Sequence, residues 1–149
     1  MKEYAITNIV LVDEDIEECR NFRKAVEEID RNLKLLCFHS CEDVMEHLND
    51  TDIQLPNIIF LEIHFPAMSG IDCLKEIRSH NILKDLTIAI YSNSTTESNQ
   101  ELAFNNRANI FVKKPKDFEG LKKIIKSIVD ISFQFDSADF NKDTFLFSV

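Results

Sequence analysis

Five positions carry the side chains best suited to chemistry: Asp13, Glu14, Glu62, Ser92 and Lys114. Each follows a short apolar run. Asp13 and Glu14 follow NIVLV (residues 8–12), and Glu62 follows the IIFL of PNIIFLEIHFPAMSG (residues 56–70). Ser92 follows TIAIY (87–91), and Lys114 lies just past residues 110–112 and directly before Pro115. A run of four or five apolar residues marks a strand buried on both faces, as in a parallel sheet. The carboxyl ends of such strands share one edge, where open α/β sheets hold their ligands. Three carboxylates, a hydroxyl and an ammonium therefore converge on one crevice. Carboxylates that close repel unless a cation offsets them, and a hard divalent ion such as Mg²⁺ is the natural partner, with Asp13, Glu14 and Glu62 as its oxygen ligands. A lysine and a small hydroxyl beside them suit an anionic group such as a phosphoryl. Taken singly, the same residues read as helix-start acids, a strand-end acid, a turn serine and a solvated lysine.

The elements that must position these side chains alternate. After the first strand, Asp15 is placed as a helix N-cap with Glu18 as its capping-box partner, and Ile16, Cys19, Phe22, Val26 and Ile29 follow at helical spacing. Residues 33–38 (LKLLCF) form a second strand, and Ser40 caps a helix whose apolar face is Val44, Met45 and Leu48. The central strand spans 58–63, and Ile71, Leu74 and Ile77 mark a third helix. Ser94 with Glu97 makes a capping box for a fourth helix that ends near Phe104. Asp117 caps a last helix with a wide stripe of Phe118, Leu121, Ile124, Ile125, Ile128 and Val129. Five βα units predict an α/β fold with a parallel sheet and helices on both faces. Residues 1–130 read as one domain. Residues 131–149, with Phe133, Phe135, Phe140, Phe145 and Phe147, read as a strand or docked extension.

Bulk properties narrow the function classes. A net charge of −9 over 149 residues argues against nucleic acid and anionic membrane surfaces as partners. No apolar run reaches the length of a membrane span, and MKEYAITNIVLVDED meets acids too early for a secretory signal. Cys19, Cys37, Cys41 and Cys73 show no C-x-x-C spacing, so zinc is not expected, and reduced thiols buried in a cytosolic protein are the reading. His64 reads as an exposed loop histidine. With only Gly70 and Gly120, the chain has no Gly-rich phosphate loop.

IVLVDED (9–15), FLEIHFPAMSGIDCLKEIR (60–78), IAIYSNS (88–94) and FVKKP (111–115) together resemble the response-regulator receiver domains of bacterial two-component signalling, over about residues 6–130. The resemblance implies a flavodoxin-like (βα)5 three-layer sandwich with parallel sheet order 2-1-3-4-5, plus the Phe-rich C-terminal extension. It implies Mg²⁺ binding by Asp13 and Glu14, phosphoryl contacts from Ser92 and Lys114, and a switching aromatic at Phe111. Pro66 and Gly70 match the loop after the third strand. The family's partners are histidine kinases or phosphotransfer proteins, and its usual output surface is the fourth helix, fifth strand and fifth helix. The implied function is a stand-alone, cytoplasmic phosphorelay module that works by contact with a downstream protein and is not an enzyme. A tail exchanged between protomers would make a homodimer.

The departure lies at Glu62, where the family carries its phosphoacceptor aspartate. The acceptor carboxylate attacks a phosphoryl group while cations offset the charge. One extra methylene moves it by roughly 1 Å, a misplacement that can cost on the order of 100-fold in rate. The longer side chain can also pair with Lys114. A smaller departure is NNRAN (105–109), where Asn106 is expected to take the left-handed conformation usually given to glycine. The alternative function is a Mg²⁺-dependent phosphotransfer or phosphatase-type enzyme on the same fold. That chemistry needs a second acid at the place of His64. A flavin or nucleotide site would need a phosphate cradle that the glycine-poor crevice does not supply.

Overall fold

The computed structural model describes residues 4–64, 69–132 and 146–147. Strands β1 (Thr7–Val12), β2 (Leu33–Phe38), β3 (Ile58–Leu61), β4 (Ile88–Ser92), β5 (Ile110–Lys113) and β6 (Leu146–Phe147) form one sheet. Helices α1 (Ile16–Ile29), α2 (Cys41–Leu48), α3 (Gly70–Ser79), α4 (Glu97–Asn105) and α5 (Phe118–Ser132) follow the first five strands in turn. The strand order is β2-β1-β3-β4-β5-β6, and every neighbouring pair is parallel. The expected flavodoxin-like order 2-1-3-4-5 is therefore present. The extension adds a sixth strand, with Leu146 opposite Phe111 and Phe147 opposite Val112. Phe133, Phe135, Phe140 and Phe145 lie outside the described residues.

The apolar runs are continuous because both faces of the sheet are covered. Successive strand residues point to opposite faces. Ile9 and Leu11 accordingly join Phe22, Val26, Leu121 and Ile125 in one cluster, whereas Val10 and Val12 join Val44, Leu74 and Ile77 in the other. Phe22, Phe60 and Tyr91 meet edge to face at centroid distances of 5.0, 5.6 and 6.0 Å. Burying each such aliphatic or aromatic side chain contributes roughly 1.5–3 kcal/mol. The two clusters fix the central strands, and so fix the ends from which the chemistry-bearing residues project.

Helix starts and stops agree with expectation at three of the sites that matter and differ at three. Asp15 caps α1, accepting from Glu17 N and Glu18 N. Ser40 caps α2 through Asp43 N, and Asp117 Oδ1 accepts from Gly120 N at the start of α5. Glu18, however, does not close a capping box. Asp15 N donates instead to Asp13 Oδ1 at 3.0 Å, and Glu18 Oε1 accepts from Tyr91 OH at 2.7 Å. The cap of α4 is Thr96, whose side chain accepts from Asn99 N, while Ser94 accepts from Asn99 Nδ2. The left-handed residue after α4 is Arg107 at φ 70°, not Asn106 at φ −97°. Ala108 N bonds back to Ala103 O and Arg107 N to Phe104 O, a helix-closing pattern that sets the left-handed turn one residue later than the asparagine.

The cysteine expectation is corrected. Cys41, at the first position of α2, and Cys73, in α3, form a disulfide with Cα atoms 5.7 Å apart across a separation of 32 residues. Both helices pack on the same face of the sheet, which brings together two cysteines that no local spacing links. Cys19 and Cys37 are free thiols, the first buried and the second half-buried.

Candidate functional site

Three of the predicted site residues meet at the carboxyl edge of the sheet. Asp13 follows β1 directly and is buried, its N–H donating to Phe38 O at 3.0 Å. Glu62 stands one residue past β3, also buried, with its N–H on Val12 O. Lys114 follows β5, and its N–H donates to Ser92 O at 3.0 Å, so β4 and β5 jointly set its position. The Lys114 ammonium then lies between the two acids, 2.8 Å from Asp13 Oδ2 and 3.0 Å from Glu62 Oε1. The remaining carboxylate oxygens are also engaged. Asp13 Oδ1 accepts from Asp15 N, and Glu62 Oε2 accepts from Ile63 N at 2.6 Å.

This trio carries two negative charges and one positive. Burial alone would lower the Lys114 pKa, but the hydrogen bonds and charges of Asp13 and Glu62 outweigh it and raise it above the ordinary lysine value. The ammonium also stands 5.3 Å from the centre of the Tyr91 ring, within cation–π range. Burial first, and then Glu18, raises the Tyr91 hydroxyl well above its ordinary pKa, so Tyr91 is a neutral donor to Glu18.

The other predicted residues are placed differently. Ser92 is fully buried, and its hydroxyl accepts from Ser94 N at 3.1 Å, within its own loop. Phe111 is fully buried in the cluster under α2, α3 and α4. Glu14 and His64 are exposed, and Pro66 lies outside the described residues. Sequence reasoning missed Tyr91 and the Ile63 N–H. Tyr91 read only as the end of an apolar run, and a backbone donor leaves no mark in a sequence.

The donor set bears directly on a divalent cation. Each of the four carboxylate oxygens of Asp13 and Glu62 already accepts a hydrogen bond. Among the described residues, no three His, Cys, Asp or Glu side chains are grouped to hold a metal ion. As arranged, the Lys114 ammonium offsets the charge of the Asp13–Glu62 pair.

Gly70 explains how Glu62 is held from behind. Its N–H donates to Ile63 O at 2.6 Å, and a Cβ on Gly70 would run into the Glu62 carbonyl oxygen and meet Ile63 Cα at 2.7 Å. The obstacle is backbone, which cannot swing aside. The Gly70→Ala variant is expected to lose about 1–3 kcal/mol, the cost of overpacking, read as a lower urea midpoint. An unchanged midpoint would show that the β3–α3 connection yields without cost.

The chain matches the response regulator receiver domain family over residues 9–126. It belongs to that family. As a receiver domain it is a module of two-component signalling. This receiver domain is 20% identical to chemotaxis protein CheV1 of Helicobacter pylori over 128 residues, which cover 83% of this chain and 38% of that protein. It is 36% identical over 88 residues to sensory transduction protein LytT of Oceanobacillus iheyensis, covering 59% and 35%. It is 27% identical over 74 residues to the probable methanogenesis regulatory protein FilR2 of Methanothrix harundinacea, covering 50% and 48%. The chain thus spans between about a third and a half of the length of these curated relatives. Among solved structures, the phosphorylated cyanobacterial phytochrome response regulator RcpA matches with a TM-score of 0.78 at 21% identity, covering 87% of this chain and 95% of the other. The Mn²⁺-bound form of response regulator Rcp1 matches with a TM-score of 0.72 at 20% identity, covering 91% and 99%. These two likenesses show the fold. Among the described residues, no helix is long and apolar enough to cross a membrane.

Proposed function

We propose that this receiver domain signals through protein contact without depending on phosphoryl transfer. Glu62 stands at the phosphoacceptor position, and the Lys114 bridge to Asp13 and Glu62 is the observation that carries the reading. In a receiver site, the carboxylate must reach a phosphoryl group while Lys114 and a cation offset the charge. Here the Glu62 carboxylate has already reached the lysine, at 3.0 Å. The extra methylene has placed negative charge where an acyl phosphate would carry it, so the site is held in one state from the start. Asp13 and Glu14 are the metal positions of the family pattern, with Glu62 completing the set. Ser92 and Phe111 are its switch positions. In this reading all five serve a fixed surface, and Mg²⁺ is not required to form it.

The partners are those of the family: a histidine kinase or phosphotransfer protein that docks on the domain, and a downstream protein that reads it. Residues 1–130 form the receiver proper and 131–149 a C-terminal extension. The pairing of β6 with β5 supports an extension docked on that edge. The net charge of −9 argues against a nucleic-acid partner.

The test is incubation with Mg²⁺ and acetyl phosphate, read by intact mass. Wild type is expected to gain no phosphoryl adduct, while Glu62→Asp gains one, because the shorter carboxylate recovers attack geometry. A wild-type adduct that vanishes in Glu62→Gln would overturn the proposal.

A further inference from the structure

Asp13 and Glu62 are linked twice, once through their side chains and once through their backbones. The Lys114 ammonium bridges the two carboxylates. The Cys41–Cys73 disulfide joins the two connections that hold the backbones. Cys41 opens α2, two residues after His39 and three after Phe38. Those two residues clasp Asp13: Phe38 O accepts from Asp13 N at 3.0 Å, and His39 Nδ1 lies 3.0 Å from Asp13 O. Cys73 lies in the first turn of α3, and its N–H donates to Ser69 O at 3.0 Å. Gly70 opens that turn. It donates to Ile63 O at 2.6 Å and approaches the Glu62 carbonyl too closely for any Cβ. Ile63 N in turn donates to Glu62 Oε2 at 2.6 Å. With Cα atoms 5.7 Å apart, the bond holds both connections at one spacing.

We propose that the Cys41–Cys73 pair is a redox-operated clamp on the acidic site. Closed, it locks the residues that hold the Asp13 and Glu62 backbones. Open, it leaves them to hydrogen bonds and packing. The proposal rests on the reading of the site as fixed in one state, and adds what fixes it. The core does not demand the bond. Val44, Met45, Leu48, Leu74 and Ile77 already seat α2 and α3 on one apolar cluster, and a chain of 149 residues buries enough surface to fold without a staple. In the cytosolic setting expected of this chain, a disulfide is typically transient and serves catalysis or redox sensing.

The reductant is a small dithiol. Its thiolate attacks Cys41 Sγ, because Cys41 is 4% exposed and Cys73 0%. Cys41 stands in the first turn of α2, and helix ends fray, so local opening gives access without global unfolding. The S–S bond breaks, and the Cys73 sulfur leaves and takes up a proton. The second thiol of the reductant then attacks the mixed disulfide, and Cys41 leaves as a thiol. One protein disulfide and one dithiol yield two protein thiols and one oxidised dithiol. The two sulfurs part from bonding distance to van der Waals contact. Phe38 and Gly70 each lie three residues from a moving cysteine, so the displacement is felt at Asp13 and Glu62.

The experiment compares amide NMR spectra of the full chain before and after dithiothreitol in native buffer, with thiols counted by alkylation and intact mass. Dithiothreitol is expected to open the bond without denaturant. The amide signals of Asp13, Ile63 and Gly70 are then expected to shift, while those of Asn32 and Ala108, at the amino edge of the sheet, stay in place. Native-state signals do not depend on stability, so a bond that merely staples the fold would leave the site signals unmoved. The double variant Cys41→Ala, Cys73→Ala should give the reduced pattern with or without dithiothreitol. Site shifts that dithiothreitol still produces in that variant would belong to Cys19 or Cys37 and overturn the proposal. So would a bond that opens only in urea, or one whose opening moves no signal of Asp13, Ile63 or Gly70. A phosphoryl adduct on wild type would instead overturn the fixed-state reading and leave these shifts as they are.

Discussion

Replacing Lys114 with methionine is expected to lower the stability of the domain by about 3–5 kcal/mol, the cost of leaving buried charge without its partner. Methionine fills the space of the lysine stem, so the loss comes from charge rather than from a cavity. Asp13 and Glu62 both bond to the one ammonium, at 2.8 and 3.0 Å, and both are buried. Without it, two carboxylates face each other with only backbone N–H groups as donors. Removing charge from both sides reverses the sign of the problem. The triple variant Asp13→Asn, Glu62→Gln, Lys114→Met is expected to recover most of the loss, because a buried ion pair exchanged for neutral groups is often close to neutral in stability. Urea melts at pH 7 read both variants. A Lys114→Met midpoint equal to wild type would show that the bridge contributes nothing to the folded state.

The same bridge predicts an alkaline limit. The folded state holds the Lys114 proton more tightly than the unfolded chain does, since the pKa is raised. That contribution is complete below the unfolded lysine value of about 10.4 and is lost as pH rises through the higher folded value. Tyr91 acts in the same direction, because its raised pKa also means that the folded state holds the proton more tightly. Stability should therefore fall as pH climbs above roughly 10. Lys114→Met should show a shallower fall than wild type over that window, because its Lys114 share is gone.

The parts of this molecule that could be read from its sequence are those governed by local rules. Four apolar runs became β1, β3, β4 and β5, the strands inside the sheet, because covering both faces of a parallel sheet requires apolar residues throughout, whereas the edge strand β2 alternates. Asp15, Ser40 and Asp117 cap their helices because a side-chain oxygen one position before a helix satisfies its orphan N–H groups wherever the helix lies. The failures come from tertiary competition. Glu18 sits at a proper capping-box position, but Tyr91, 73 residues away, donates to its carboxylate. Ser94 yields the α4 cap to Thr96 and bonds the Asn99 side chain instead. The site was legible as a set of strand ends, and Asp13, Glu62 and Lys114 do meet there. The pairing of Glu62 with Lys114, expected from the extra methylene, is present at 3.0 Å, whereas spacing could not show that Ser92 bonds inward to its loop. Nor could it show Arg78, which crosses from α3 to donate to the backbone carbonyls of Lys84, Leu86 and Arg107 and to the Asn109 side chain.

Reducing the Cys41–Cys73 disulfide is expected to lower stability by about 3–4 kcal/mol. Closing a loop between cysteines 32 positions apart in the sequence removes chain entropy from the unfolded state, and the loop-length relation gives that figure. Little should be lost from the folded state. Cys41 and Cys73 are buried among Val44, Leu74 and other apolar side chains, and a reduced thiol is itself a small apolar group that can keep those contacts. The fold should therefore persist after reduction while its urea midpoint drops by roughly 1.5–2 M, taking about 2 kcal/mol per molar urea as the slope. Cys41→Ser combined with Cys73→Ser should show the lower midpoint with or without dithiothreitol, which separates this bridge from any oxidation of Cys19 and Cys37. Alkylation of the unfolded chain, counted by intact mass, supplies the check on the bond itself: two modified thiols before reduction and four after. Four modified thiols without reductant, together with a wild-type midpoint indifferent to dithiothreitol, would mean that the two helices are held by packing alone.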